Sequence, residues 1–199
     1  PVATAVVPIS AGRHIYKREP SFPIAVACDP AFNFVYEANI RYLHHLGEVT
    51  YFSPLADTSL PDAGFVYLPG GYPELYLAAL SANRQMLQSI RRYVESGGKL
   101  LAECGGMMYL CDEIRDKNGY VYPMAGVLHQ SATMENMKLR LGYRTLLYNE
   151  TRLKGHEFHY SRLVEQQNPL PSCAVAYTAK GVETDTPLYH YKNVWAGYT

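Results

Sequence analysis

Four cysteines and seven histidines carry most of the chemistry open to this 199-residue chain, and their settings are unequal. Cys104 stands where the apolar run Leu100-Leu101-Ala102 meets Gly105-Gly106, after which helical spacing resumes from Met107 to Cys111. A residue at such a strand-to-helix turn projects from the carboxyl edge of a sheet, where α/β folds place ligands. The helix start would direct N–H groups and partial positive charge at the sulfur, favouring thiolate. Gly105 would add an N–H for an oxyanion. A core cysteine beside a glycine turn is the plainer alternative; at this elbow the nucleophile is the preferred reading. Cys28, Cys111 and Cys173 lack such a setting and read as small hydrophobes.

Two further clusters draw attention. Leu68-Pro69-Gly70-Gly71 again closes a strand, and its glycines can turn backbone N–H groups toward the same sheet edge. Alone it is an ordinary strand-to-helix turn; beside Cys104 it suggests an oxyanion hole built from Gly71 and Gly105. Gly155-His156-Glu157-Phe158-His159-Tyr160-Ser161 lacks the spacing of a zincin helix. Read as strand, it places His156, Phe158 and Tyr160 on one face and Glu157, His159 and Ser161 on the other. The cysteines supply no spacing for further metal ligands, so no metal site is expected. Glu157 sharing a face with His159 makes that imidazole the most plausible impostor for a general base, although neither His156 nor His159 is assigned that role.

The elements that must position these residues follow from hydrophobic periodicity. Ile24 to Cys28 reads as a strand buried on both faces. Tyr36, Ile40 and Leu43 space a helix ending at Gly47, followed by strands at Val49–Phe52 and Phe65–Leu68. Met86, Leu87, Ile90 and Val94 space a second helix, capped by Ser81 and closed by Gly97-Gly98. This alternation predicts an α/β fold with an open, mostly parallel sheet flanked by helices. Later strands are expected at Met124–Leu128, Tyr143–Leu147, His156–Tyr160 and Ala174–Tyr177. Residues 1–22, punctuated by proline, read as a linker.

Composition narrows the partners. Eighteen basic residues balance eighteen acidic ones, which weighs against a nucleic-acid binder. No apolar run approaches a membrane span. Scattered cysteines suit a reduced, cytoplasmic setting. Charged residues make up only 18%, which hints at surface that something else covers.

Leu68 to Leu75, Ala102 to Leu110, Gly155 to Ser161, Asp29 to Tyr36 and Phe52 to Leu55 together resemble the glutaminase domain of the cobyrinic acid a,c-diamide synthase family. The resemblance covers roughly residues 20–199. It implies a class I glutamine amidotransferase fold over residues 23–199, with residues 1–22 as interdomain linker. Cys104 would attack glutamine and form a thioester. Gly70, Gly71 and Gly105 would serve the oxyanion and substrate, and Tyr72, Glu103, Glu157 and His159 would shape the site. Ammonia would pass to the a and c carboxylates of a corrinoid acceptor, activated by ATP and Mg²⁺ in an N-terminal domain absent from this chain. No G-x-x-x-x-G-K-[ST] occurs here, and no cofactor is expected in the chain itself. The resemblance also implies that the catalytic histidine directly follows Thr199. The Ni-sirohydrochlorin and cobyric acid synthases remain alternative families. A catalytically silent binding module and a protease-like cysteine hydrolase remain alternatives of other classes. The aromatics of Phe32-Asn33-Phe34 either pack locally or face the absent domain or acceptor.

Overall fold

The computed structural model describes residues 22–199, so the linker stretch before Phe22, with His14, lies outside the described residues. In chain order the first half runs β1 (Phe22–Ala27), α1 (Glu37–Leu46), β2 (Gly47–Phe52), β3 (Phe65–Leu68), a 3₁₀ turn (Pro73–Leu75), α2 (Leu77–Ala82), α3 (Arg84–Glu95), β4 (Lys99–Glu103) and α4 (Gly105–Leu110). Short strands follow: β5 (Glu113–Arg115), β6 (Val121–Pro123) and β7 (Ser131–Thr133). A long hairpin of β8 (Arg140–Tyr148) and β9 (Thr151–His159) comes next, then β10 (Arg162–Leu163), β11 (Val175–Thr178), β12 (Glu183–Thr184), β13 (Leu188–Tyr191) and β14 (Val194–Gly197).

The main sheet has the order β13-β14-β4-β3-β1-β2, parallel throughout except for β13. Its strands alternate between two cores. Ala25, Ala27, Val66, Leu68, Leu100 and Ala102 face the helices α2 to α4, where Met86, Leu87, Ile90 and Val94 of α3 are buried. Each of the Val, Leu, Ile and Met side chains among them contributes roughly 1.5–3 kcal/mol by leaving water. Ile24, Val26 and Tyr67 face α1, which covers them thinly: Ile40 and Leu43 are half-buried and no residue of the helix is fully buried. Two smaller sheets, β10-β7-β5-β6 and β12-β11-β8-β9, complete the molecule. The second of them brings β9 across the carboxyl edge of the main sheet, where Phe158 meets Cys104.

Two local expectations are corrected. Asn83, not Ser81, caps α3: its side chain accepts from the Met86 N–H, while Ser81 lies inside the separate helix α2. Met124–Leu128 is apolar because it is buried, not because it is a strand. Its N–H groups turn to the end of α4 and the residue beyond it: Ala125 donates to the Tyr109 carbonyl, Gly126 to Cys111, and both Val127 and Leu128 to Leu110. Burial of an irregular segment is tolerated there because it satisfies a helix end that would otherwise lack partners.

Candidate active site

Cys104 occupies the turn between β4 and α4 with φ +48° and ψ −105°, a conformation that a side-chain-bearing residue rarely holds. Such strain costs about 1–3 kcal/mol and persists only where the surroundings enforce it. Here the enforcement is close packing. A Cβ on Gly106 would lie 2.1 Å from the Leu68 carbonyl oxygen, and one on Gly71 would lie 2.1 Å from that of Ala31. Glycine at both positions lets α4 start directly against the end of β3. The same packing brings Gly71 N within 3.1 Å of the Cβ position on Gly105, so the two expected oxyanion donors are neighbours. The segment after β1 is laced to this turn, with Phe34 N–H donating to the Gly70 carbonyl and Tyr72 N–H to that of Ala31, both at 3.0 Å.

A cleft of about 240 Å³ opens over the sulfur. Gly70, Gly71, Tyr72, Glu103 and Cys104 form one wall; Lys154, His156 and Phe158 of β9 form the other. Phe34 and Tyr36 stand at the rim, whereas Phe32 packs locally, buried against Tyr109. Gly105 lies buried beneath the elbow. His159 lines a smaller recess on the far side of Cys104 with Glu74, Met108 and Ser161.

The electrostatics contradict the thiolate expectation. Burial, then the Glu74 carboxyl, pushes the Cys104 thiol up to about 12; Glu157 and Glu103 add to this and the Gly105 N–H opposes it. Helix α4 has only six residues and is a weak source of partial charge. Burial also raises Glu74 and Glu103; a hydrogen bond from the Tyr67 hydroxyl to Glu103 at 2.5 Å partly offsets the rise at Glu103. The resting sulfur donates to the Phe158 carbonyl at 3.8 Å. Cys111 is fully buried as expected, but Cys28 is exposed and does not behave as a core hydrophobe.

Strand alternation places Glu157, His159 and Ser161 in the interior, as the sequence predicts. Burial works against Glu157 ionisation, but His159, Thr186 and Arg144 outweigh it and hold the carboxyl below the usual range. Arg144 Nε lies 2.5 Å from Oε2 and the Thr186 hydroxyl donates to the same oxygen at 2.9 Å. His159 Nε2 pairs with Glu157 Oε1 at 2.7 Å and Nδ1 with the Ser161 carbonyl at 2.8 Å. Both ring nitrogens are thus engaged by Glu157 and the Ser161 carbonyl rather than by Cys104. His44 and His45 sit in the last turn of α1, His129 in a loop and His190 on β13; none of them lines the cleft. Among the described residues, no group of three or more His, Cys, Asp or Glu side chains is arranged to hold a metal.

Sequence reasoning missed Arg144, Thr186 and Tyr198. Ser161, by contrast, is already aligned with His159 by period-two alternation. Arg144 and Thr186 reach Glu157 only through tertiary folding.

Residues 23–199 match the CobB/CobQ-like glutamine amidotransferase domain. Hydrogenobyrinate a,c-diamide synthase of Pseudomonas aeruginosa is 43% identical over 160 residues, covering 80% of this chain and 35% of that protein. Cobyrinate a,c-diamide synthase of Fusobacterium nucleatum is 40% identical over 184 residues, covering 88% of this chain and 40% of that protein. The chain therefore spans well under half the length of these curated relatives. Among solved structures, PurLQS from Thermotoga maritima superposes with a TM-score of 0.59 at 18% identity, covering 88% of this chain and 85% of that one. A glutamine amidotransferase structure gives 0.59 at 17% identity, covering 87% of each chain. Both likenesses establish the α/β amidotransferase fold.

Proposed function

The chain belongs to the CobB/CobQ-like glutamine amidotransferase family, and from that premise we propose that it is the glutaminase part of an ATP-dependent amidoligase acting on a corrinoid. The observation that carries the reading is Cys104 held at positive φ beside Gly71 and Gly105, with its sulfur facing the cleft. In this mechanism Cys104 Sγ attacks the side-chain carbonyl carbon of glutamine. Gly71 and Gly105 N–H groups steady the oxyanion. The C–N bond breaks, a base returns the thiol proton to the departing ammonia, and water later cleaves the thioester to glutamate. Glu103 and Tyr72 shape the entrance and Glu157 and His159 the wall opposite.

The acceptor is the a,c-dicarboxylate of cobyrinic or hydrogenobyrinic acid, the two substrates named in the relatives. ATP and Mg²⁺ would serve an N-terminal domain that activates those carboxylates, in the cytoplasm. The exposed Phe34, Tyr36, Tyr143, Phe158 and Tyr160 give that domain an apolar rim to cover. None of the described helices is long and apolar enough to cross a membrane.

The base is expected after β14. Gly197 pairs with Glu103 in parallel register and accepts from the Cys104 N–H at 2.7 Å, so the chain leaving β14 emerges beside the elbow. A histidine appended after Thr199 should raise glutamine hydrolysis by roughly 10²–10⁴-fold, the contribution typical of a general base. Independently, a glutamine-shaped diazo ketone should label Cys104. Mass mapping that finds the label on Cys28, Cys111 or Cys173, or no label, overturns the glutaminase reading.

A further inference from the structure

Two strands flank Cys104 without being sequence neighbours of it: β9, which offers the Phe158 carbonyl, and β14, whose continuation Tyr198-Thr199 lines the cleft. They are tied to one another by a buried contact that the reaction does not itself require. The Tyr198 ring lies on the His159 ring with centroids 3.6 Å apart and planes 6° from parallel. Its hydroxyl is 3.0 Å from Ser161 Oγ, which in turn donates to Met108 Sδ of α4 at 3.3 Å. Tyr198, His159 and Ser161 are all buried. One step further along, Thr199 packs where a Cβ on Gly155 would stand, 2.3 Å from Thr199 Cγ2. The His159 ring is itself immobilised by Glu157 and the Ser161 carbonyl, and Glu157 by Arg144 and Thr186.

We propose that Tyr198, His159 and Ser161 form a positioning lock that fixes the end of β14 against β9 and so sets what stands on either side of the Cys104 sulfur. The inference rests on the glutaminase reading for its consequence, not for its geometry. A ring stack determines separation and tilt but leaves sliding open; the Tyr198–Ser161 hydrogen bond removes the sliding. Attack on an amide needs both the sulfur and the proton-transfer partner placed to a fraction of an ångström. Loosening either flank should therefore depress the rate of reaction within the bound complex while leaving the affinity for the glutamine shape nearly unchanged. That signature separates positioning from substrate binding, and a rate loss in protein that remains folded separates it from a merely structural role.

The test is the saturation kinetics of Cys104 labelling by the glutamine-shaped diazo ketone on the 199-residue chain, with iodoacetamide as a reagent that carries no glutamine features. Tyr198→Leu should lower the maximal labelling rate about 100-fold, the cost of an ångström-scale misplacement, at a half-saturating concentration within about threefold of the parent. Its iodoacetamide rate at Cys104 should rise, because a loosened flank exposes the sulfur. Tyr198→Phe and Ser161→Ala keep every ring and lose one hydrogen bond, so each should lower the maximal rate about fivefold. Should Tyr198→Leu fail to fold, these two variants decide. Equal maximal rates in the folded variants, or a loss that lies in half-saturation alone, overturn the lock. A parent chain alkylated at Cys104 by iodoacetamide but not by the analogue overturns the glutaminase reading; the lock is then overturned too if the Tyr198→Leu iodoacetamide rate equals the parent's, and stands if that rate rises.

Discussion

The elbow that ends β4 is assembled from glycines and apolar side chains, whereas β9, facing it across the cleft, is anchored by the buried Glu157–Arg144 pair. On the elbow side, close approach of backbone to backbone enforces a strained φ at Cys104. On the β9 side, charge and hydrogen bonding hold a strand whose outer face remains open, with Phe158 at 38% exposure and Tyr143 of its partner β8 at 72%. The difference teaches how one site divides its labour. Packing is stiff and insensitive to ionisation, which suits the nucleophile. A polar network is directional, which suits a wall that must present one carbonyl and one ring at set angles. Each mechanism fails in its own way, and each can be broken separately.

The largest effect belongs to the nucleophile. Cys104→Ala should reduce glutamine hydrolysis on the order of 10⁵-fold or more, as removal of a covalent catalyst does, with melting temperature little changed because alanine keeps the Cβ and the same strained turn. Residual turnover near the parent rate would place the nucleophile elsewhere. On the opposite wall, Arg144→Leu leaves the Glu157 carboxylate buried without its guanidinium and should cost about 3–5 kcal/mol in urea unfolding. A loss below about 1 kcal/mol would mean that water or Arg140 replaces the lost partner.

A smaller loss is expected from the elbow's packing. Gly106→Ala sets a methyl against the Leu68 carbonyl and should cost about 1–3 kcal/mol, seen as a lower denaturation midpoint. Unchanged stability would show that β3 yields there, and the enforced strain at Cys104 would need another source. The gentlest probe is alkylation of Cys104 against pH. Burial and Glu74 favour the protonated thiol, so the reactive thiolate fraction keeps growing toward about 12 and the rate should climb through pH 10 with no plateau. A plateau near pH 8 would show a cation, such as Lys154 of the cleft wall, drawn to the sulfur.

Much of this arrangement was legible in the residues themselves. The unbroken run at Ile24–Ala27 and the spacing of Met86, Leu87, Ile90 and Val94 determined buried strand and amphipathic helix, because burial on a sheet or along a helix stripe leaves a periodic trace. Gly71, Gly105 and Gly106 marked turns with no room for a side chain. The alternation of Glu157, His159 and Ser161 sorted a strand into faces before any partner was known. Tertiary structure alone decided the rest. Met124–Leu128 carried the composition of a strand, yet the end of α4 claimed its N–H groups. Phe32 and Phe34 look alike in sequence but part between core and rim. The helix start misleads about the protonation of Cys104, because burial, and then Glu74 and Glu157 brought in from distant segments, favour the thiol. Arg144 and Tyr198 reach their partners across 13 and 39 residues of sequence, from Glu157 and His159 respectively. Local patterns record the periodicity that burial imposes, whereas pairing between remote side chains arises from the path of the chain and leaves no local trace.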